Sequence, residues 1–201
     1  MAHKGIFCLE GDWWNNLKKP SSVEPILELL AKSDGYRVPY VHLNVGDRRS
    51  LDLYLAKWTQ KGFRDHPILY LAFHGNAGGI QVGDRRVPDN TVTLKALGEL
   101  LEGKCKNRVI FFGSCETVNV HGKRLNTFLK QTGALAVCGY CGNVDWMLST
   151  AFELLVLAYL QENSLTINGS HAVANKIRSS AKSIHQKLKF KMVIAKSGSA
   201  H

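Results

Sequence analysis

A histidine and a cysteine each follow a strongly apolar segment, and this pair of residue types can carry nucleophilic catalysis. His74 comes directly after the run 68–73, and Cys115 comes shortly after the run 109–112. A free thiol is only a few per cent thiolate at neutral pH, so it needs a neighbouring base to become a strong nucleophile. An imidazole can accept the thiol proton and later deliver it to a leaving amine. The two residues therefore predict a His74–Cys115 dyad that attacks an acyl group.

The glycine that follows the histidine could complete this chemistry. Without a Cβ, the backbone N–H of Gly75 can approach a substrate carbonyl closely. Together with the N–H of Cys115 it would form an oxyanion hole, in which one donor contributes about two to three orders of magnitude in rate. Either motif alone is more often structural, because a strand-ending cysteine is commonly a buried apolar residue and His-Gly is a common turn. Two such motifs at the ends of two successive apolar strands favour catalysis.

Strands and helices alternate around these residues. Strands are predicted at 5–9, 36–44, 68–73, 80–82, 108–112 and 134–138, and 190–195 is either a final strand or a docked tail. Helices are predicted at about 24–34, 50–61, 93–102, 122–131, 145–162 and 170–187, with a capping box that starts at Ser21 and an N-cap at Ser50. The continuously apolar runs are typical of strands buried on both faces. The alternation predicts an α/β fold with a mostly parallel central sheet and helices on both faces.

The dyad assembles if the two buried strands are neighbours in the sheet. His74 and Cys115 are 41 residues apart, which corresponds to one strand-loop-helix-strand unit. The carboxyl ends of parallel strands meet at one edge of a sheet, where α/β proteins place their sites. Trp13 and Trp14 follow the first strand and lie at the same edge if that strand is parallel. They could line a substrate groove, although packing over the edge of the core is favoured.

The two strand-ending motifs resemble the caspase-like cysteine peptidases of clan CD, which include caspases, gingipains, legumain, separase and the bacterial CHAT domains. The likeness is carried by Ile68-Leu69-Tyr70-Leu71-Ala72-Phe73-His74-Gly75 and Val109-Ile110-Phe111-Phe112-Gly113-Ser114-Cys115, and the pattern is closest to CHAT-domain and separase-type proteases. It continues through 132–140, the acidic turn 144–146 and the helix at 151–160, so it covers about residues 65–180. The resemblance implies a caspase-like three-layer sandwich.

The resemblance also implies a role for each site residue. His74 would be the general acid/base, Cys115 the nucleophile, and the N–H groups of Gly75 and Cys115 the oxyanion donors. Asp145 stands where separase-like members carry an acid that selects a basic residue before the scissile bond, but it could equally be the N-cap of the following helix. Glu116 replaces the small residue of many relatives, and it could orient His74 or repel a thiolate. The implied activity is that of a cysteine endopeptidase, a hydrolase that cuts proteins after Arg or Lys.

Composition and charge limit the alternatives. The chain has 201 residues, of which 45% are hydrophobic and 21% charged, so it fits a single domain over residues 1–201 and excludes disorder. The net charge of +10 is concentrated in a basic C-terminal helix and tail at about 163–201, which has no Asp or Glu. This segment could bind nucleic acid, but Phe190 is its only aromatic residue for stacking. A solvated helix face is therefore favoured.

No cofactor and no metal are expected. Cys138 and Cys141 have metal-ligand spacing but no second pair, and the glycine-rich stretch 75–79 lacks the Gly-Lys-Ser/Thr ending of a phosphate loop. Five cysteines, no apparent secretory signal and no apolar run long enough for a bilayer predict free thiols in a cytoplasmic protein without membrane contact. The expected partners are a protein or peptide substrate and a separate activator or regulatory protein. The alternative is a non-catalytic interaction module of the same fold.

Overall fold

The computed structural model of the chain describes residues 3–13, 18 and 21–196. Its strands in this part of the chain are β1 (Ile6–Glu10), β2 (Tyr40–Asn44), β3 (Ile68–Ala72), β4 (His74–Asn76), β5 (Gly79–Gln81), β6 (Thr91–Thr93), β7 (Val109–Phe112), β8 (Ala136–Tyr140) and β9 (Phe190–Ile194). Its helices are α1 (Glu24–Lys32), α2 (Arg48–Trp58), α3 (Leu94–Leu100), α4 (Gly122–Thr132), α5 (Trp146–Glu162), α6 (Ile167–Ser180) and α7 (Lys182–Lys187). Two short 3-10 helices lie at Lys61–Phe63 and Pro88–Asn90.

The central sheet has the strand order β2-β1-β3-β7-β8-β9. Strands β1, β2, β3, β7 and β8 pair in parallel, whereas β9 runs antiparallel to β8. The segment at 190–195 is therefore a strand and not a docked tail. The predicted α/β class with a mostly parallel sheet is confirmed.

Two apolar layers cover the sheet, because successive side chains of a strand point to opposite faces. On one face, residues such as Cys8, Tyr70 and Phe111 pack against α1, α5, α6 and α7. On the other face, residues such as Leu9 and Phe112 pack against α2, α3 and α4. The result is the expected three-layer sandwich with helices on both sides.

A small antiparallel sheet of β4, β5 and β6 follows directly after β3. It begins with His74, so the chain turns out of the central sheet at the histidine. The turn between β4 and β5 contains Gly78 with φ +83°, a left-handed conformation that favours glycine. This hairpin sets the direction in which the segment 74–76 leaves the sheet.

The two predicted helix caps are wrong in an informative way. Helix α1 begins at Glu24, and its N-cap Val23 has no capping side chain; instead, the Val23 N–H donates to the Glu10 carboxylate at 2.8 Å. Helix α2 is capped by Asp47, which accepts a hydrogen bond from the Ser50 N–H at 2.7 Å. The predicted single helix at 170–187 consists of α6 and α7. At the start of α1, this tertiary contact stands beside a local one, in which the Glu24 N–H donates to Oγ of Ser22 at 3.0 Å.

Candidate active site

The strands that precede His74 and Cys115 are neighbours in the central sheet. Strands β3 and β7 pair in parallel, with Ile68 opposite Val109 and the following residues in step. Paired residues differ by 41 in number, and so do His74 and Cys115. The predicted adjacency is therefore confirmed, and the two residues follow their strands at the same level of the carboxyl edge.

The backbone beside His74 packs directly against the cysteine loop, which we define as residues 113–119. A Cβ on Gly75 would collide with the carbonyl oxygen of Cys115, and it would lie 2.5 Å from the hydroxyl oxygen of Thr117 and 3.0 Å from Cβ of Ser114. A residue larger than glycine would push the two segments apart. Glycine is thus required here by packing, whether or not its N–H also contacts a substrate.

A pair of hydroxyl groups ties the cysteine loop to the β4–β5 hairpin. Oγ1 of Thr117 donates to the carbonyl of Gly79 at 2.9 Å, so Oγ of Ser114, 2.7 Å away, donates to Thr117. Both side chains are buried. Nothing in the local sequence identifies Thr117, because its partner lies in the hairpin.

The imidazole of His74 is held by the backbone of Trp13. Its Nε2 lies 2.5 Å from the carbonyl oxygen of Trp13. A carbonyl oxygen can only accept, so Nε2 carries a proton and Nδ1 is the free base of the neutral ring. The Trp13 ring also packs edge-on against the imidazole, with centroids 5.5 Å apart. Within the described residues no hydrogen bond joins His74 to Glu116, so the structure gives the orienting contact to Trp13.

Glu116 shapes the cysteine loop through its backbone. Its φ of 57° lies in the left-handed region, which is unusual for a residue other than glycine. Its N–H donates to the carbonyl of Gly142 at 3.2 Å, and its own carbonyl accepts from the N–H of Asn119 at 2.7 Å. A strained conformation directly after a candidate nucleophile is a feature that recurs at functional sites.

Helix α5 reaches the same edge through Trp13. The ring of Trp146, the first residue of α5, lies 4.7 Å from the Trp13 ring between centroids. Asp145 precedes it as the N-cap, and its Oδ1 accepts from the N–H of Leu148 at 2.9 Å. One of the two roles left open for Asp145 is therefore observed. The side chain is also exposed, so it remains accessible to a ligand.

A buried carboxylate lies behind Trp13. Both oxygens of Glu10 at the end of β1 are hydrogen-bonded: Oε1 accepts from the Trp13 indole at 2.6 Å and from the Val23 N–H, and Oε2 accepts from the Ser22 hydroxyl at 2.6 Å and lies 2.7 Å from His42 Nε2. Burial raises the pKa of Glu10, but these hydrogen bonds together bring it below its ordinary value. The bond to Glu10 raises the pKa of His42. The sequence signal for Glu10 is weak, a single acid at the end of an apolar strand. Trp14, the neighbour of Trp13, lies outside the described residues.

The remaining sequence candidates do not form a second site. Cys138 Sγ is directed to the carbonyl of Ile110, Cys141 Sγ to that of Val118, and burial raises the pKa of both thiols. In residues 3–13, 18 and 21–196, no group of three or more His, Cys, Asp or Glu could hold a metal ion. Phe190 is buried in the core. Across the same residues, every helix is too short or too polar to cross a membrane.

Comparison with known proteins supports the fold. Caspase-1 from Spodoptera frugiperda has a similar structure, with a TM-score of 0.55 and 13% sequence identity over 96% of this chain and 87% of that chain. At this identity the likeness shows a caspase-like fold and does not extend to activity. No curated protein matches the sequence. Residues 3–193 match the sequence profile of DUF6642, a family of unknown function, and the chain belongs to that family.

Proposed function

We propose that this protein is a cysteine endopeptidase in which Cys115 is the nucleophile and His74 the general acid/base. One observation carries the proposal: Gly75 packs against the Cys115 carbonyl where two adjacent parallel strands end. The segment that bears the imidazole therefore touches the segment that bears the thiol. His74 and Cys115 are both partly exposed, so a substrate can reach them. The caspase-like fold adds support.

The proposed reaction follows from the hydrogen bond of His74. Because Nε2 donates to Trp13, Nδ1 takes the proton of the Cys115 thiol, and Sγ attacks the peptide carbonyl carbon. The N–H groups of Gly75 and Cys115 stabilise the resulting oxyanion. The C–N bond then breaks, and the imidazolium gives its proton to the leaving amine, which leaves a thioester. Water, deprotonated by His74, hydrolyses the thioester and restores the thiol.

We also propose that the residue before the scissile bond is Arg or Lys. The exposed carboxylate of Asp145 lies next to Trp146, whose ring contacts Trp13 and through it the dyad. A carboxylate can pair with a guanidinium, and indole faces attract cations. The resemblance to separase-type proteases supports the same preference. Lys189 lies beside Gly142 at this edge, so a preference for acidic residues is the competing outcome.

A fluorogenic peptide panel with Arg, Lys, Asp, Leu or Ala before the scissile bond tests both proposals. We expect cleavage after Arg or Lys, a loss of at least about a thousandfold in Cys115→Ala, and near-normal activity in Cys141→Ala, a matched partly exposed thiol. Asp145→Asn keeps an N-capping side chain but removes the charge, and it should lower kcat/KM for basic peptides about tenfold. Activity that survives in Cys115→Ala would refute the dyad.

Silence across the panel calls for a second measurement on the same protein. The rate at which iodoacetamide alkylates each cysteine at pH 7 can be followed by peptide mass spectrometry. A Cys115 that reacts much faster than Cys141 points to a protease that needs a separate activator. A Cys115 that reacts no faster supports the alternative, a non-catalytic interaction module, in which Glu116 beside the thiol is the motivating feature.

A further inference from the structure

Trp13 makes two hydrogen bonds, one through its main-chain carbonyl and one through its indole, and the two partners lie in different strands. Its main-chain carbonyl meets Nε2 of His74 at 2.5 Å, and its indole N–H donates to Oε1 of Glu10 at 2.6 Å. Only one residue therefore separates the imidazole from the buried carboxylate. The bond from the indole to Glu10 therefore restrains the residue whose carbonyl contacts His74.

Glu10 is a rigid acceptor because four donors surround it. The side chain is 1% exposed, and its partners come from separate segments: the Trp13 indole, the Ser22 hydroxyl, the Val23 N–H and the His42 imidazole. Hydrogen bonds to an ionised carboxylate are stronger than those between neutral groups. His42 is itself buried and also lies 3.4 Å from Glu24, so its orientation is fixed from both sides.

We infer that Glu10 is a positioning residue for the proposed dyad: by anchoring the Trp13 indole, it keeps the Trp13 carbonyl on Nε2 and leaves Nδ1 of His74 to act as the base. The inference rests on the proposed function of His74 and Cys115. It adds a buried residue that touches neither substrate nor thiol and acts through Trp13. A carbonyl fixes the tautomer of the ring without placing a charge against it, while the charge that anchors the carbonyl stays one residue away.

The bonds of Glu10 to α1 suggest a purely structural role, and the two roles can be separated by mutation. Val23 and Ser22 contribute to the start of α1, whereas Trp13 leads to the dyad. Ser22→Ala and Trp13→Phe each remove one donor from the same carboxylate. Trp58→Phe is a further control, because Trp58 is a buried residue whose indole donates to the His66 carbonyl at 2.8 Å, in a different part of the fold.

The test measures the rates at which iodoacetamide alkylates Cys115 and Cys141 at pH 6.5 and pH 9.5. The quantity compared between variants is the ratio of the Cys115 rate to the Cys141 rate. Trp13→Phe should lower the ratio about tenfold at pH 6.5, because a displaced imidazole no longer takes up the thiol proton. The effect should shrink at pH 9.5, where hydroxide removes that proton. Ser22→Ala and Trp58→Phe should keep the ratio within about twofold of the wild-type value, even where they lower the unfolding midpoint.

Glu10→Gln provides a second variant that separates stability from positioning. Its amide oxygen can still accept from Trp13 and Val23, while its NH₂ group replaces the oxygen that faces Ser22 and His42. We expect it to reduce the Cys115 ratio less than Trp13→Phe does, although it destabilises the fold more. If Glu10 were merely structural, the Cys115 ratio would follow stability, and Glu10→Gln would reduce it more than Trp13→Phe does.

His74→Ala separates failure of this inference from failure of the proposed function. If His74→Ala leaves the ratio unchanged at pH 6.5, the dyad itself is refuted. If His74→Ala lowers the ratio but Trp13→Phe does not, the dyad stands and the positioning role of Glu10 is overturned. An equal loss in Trp13→Phe and Ser22→Ala would also overturn it, since the effect would then follow from the packing of α1.

Discussion

Glu10 and Glu153 are both buried on the same face of the central sheet, yet their pKa values are shifted in opposite directions. Their side chains are 1% and 3% exposed, so surface exposure alone does not explain the difference, although Glu153 lies deeper in the protein. Burial raises the pKa of Glu10, but four hydrogen bonds outweigh it and the net pKa is lowered. Burial raises the pKa of Glu153 to about 7, although the hydroxyls of Tyr70 and Tyr140 donate to it.

The comparison indicates that the donors and the depth of burial together set the pKa of a buried acid. Glu10 lies at the carboxyl edge, where a histidine and a backbone N–H are within reach, whereas Glu153 lies deeper and meets two neutral hydroxyls. The deeper cluster still concerns the candidate site: a Cβ on Gly113, at the start of the cysteine loop, would lie 2.6 Å from the Tyr70 ring. One acid therefore binds the indole of Trp13 at the candidate site, and the other joins α5 to the strands beneath the loop.

The largest expected effect comes from Glu10→Gln. Removing the charge leaves His42 without the nearer of its two anionic partners, and the new NH₂ group faces the donors Ser22 and His42. We expect the free energy of unfolding at pH 6 to fall by about 4 kcal/mol, as for a broken buried ion pair. Urea unfolding measures it, and Glu28→Gln, in an exposed pair with Lys32, should change stability by less than about 1 kcal/mol. If Glu10→Gln lowers the free energy of unfolding by no more than Glu28→Gln does, the ionised form of Glu10 does not stabilise the fold, and Glu10 no longer differs from Glu153 in this respect.

The same substitution at Glu153 should act in the opposite direction at high pH. Burial raises the pKa of Glu153 to about 7 from its ordinary value of 4.5, so the folded state binds the proton more tightly than the unfolded state. Its contribution to stability is therefore lost as the pH rises from about 4.5 through 7, and it stays lost above. At pH 8, Glu153→Gln should be more stable than the wild type by up to about 3 kcal/mol, and at pH 4.5 this advantage should vanish.

Urea titrations of the wild type and Glu153→Gln between pH 4.5 and 8 check this sign. The pKa of His42 is raised by its bond to Glu10, so the wild type also loses the His42 contribution as the pH rises past its raised pKa. Both proteins share that loss, and their difference isolates Glu153. A difference that is constant across the range would contradict the assignment of a shifted acid to this position.

The difference between local and long-range contacts explains what could be predicted from the sequence. The adjacency of the strands that precede His74 and Cys115 could be predicted because it depends on local features: two apolar runs, the residues that end them and a spacing that fits one crossover. The contacts around His74 and Cys115 could not be predicted from the sequence. Thr117 bonds to Gly79, and Trp13 bonds to His74 and Glu10, only after the chain has folded. These contacts join segments whose sequences contain no sign of each other.

The predicted cap at Ser21 failed for the same reason. A serine three residues before a glutamate normally indicates a helix start, but the N–H of Val23 finds the Glu10 carboxylate from a distant strand. The two roles weighed for Glu116 concern its side chain and stay predictions, whereas the turn that its backbone makes in the loop has no local sequence signal. Long-range polar contacts thus overrode local signals at the residues that support the candidate site.

The smallest expected effect tests whether donors set the acidity of Glu153. Tyr140→Phe removes the hydroxyl that donates to Oε1 of Glu153 at 3.0 Å and leaves only Tyr70 as a hydroxyl donor in this cluster of described residues. Because a hydrogen bond to the carboxylate stabilises the ionised form, losing this donor should raise the pKa of Glu153 further and destabilise the fold by about 1 kcal/mol.

The measurement is the difference in unfolding free energy between Tyr140→Phe and the Tyr140→Phe, Glu153→Gln double variant as a function of pH. The pH at which this difference changes should be higher than the pH at which the difference between the wild type and Glu153→Gln changes. Tyr159→Phe, which removes a hydroxyl bonded to Ser180 at the surface, should leave that pH unchanged. If the transition stays in place in Tyr140→Phe, the Tyr140 hydroxyl does not influence the pKa of Glu153, and the contrast with Glu10 loses this support.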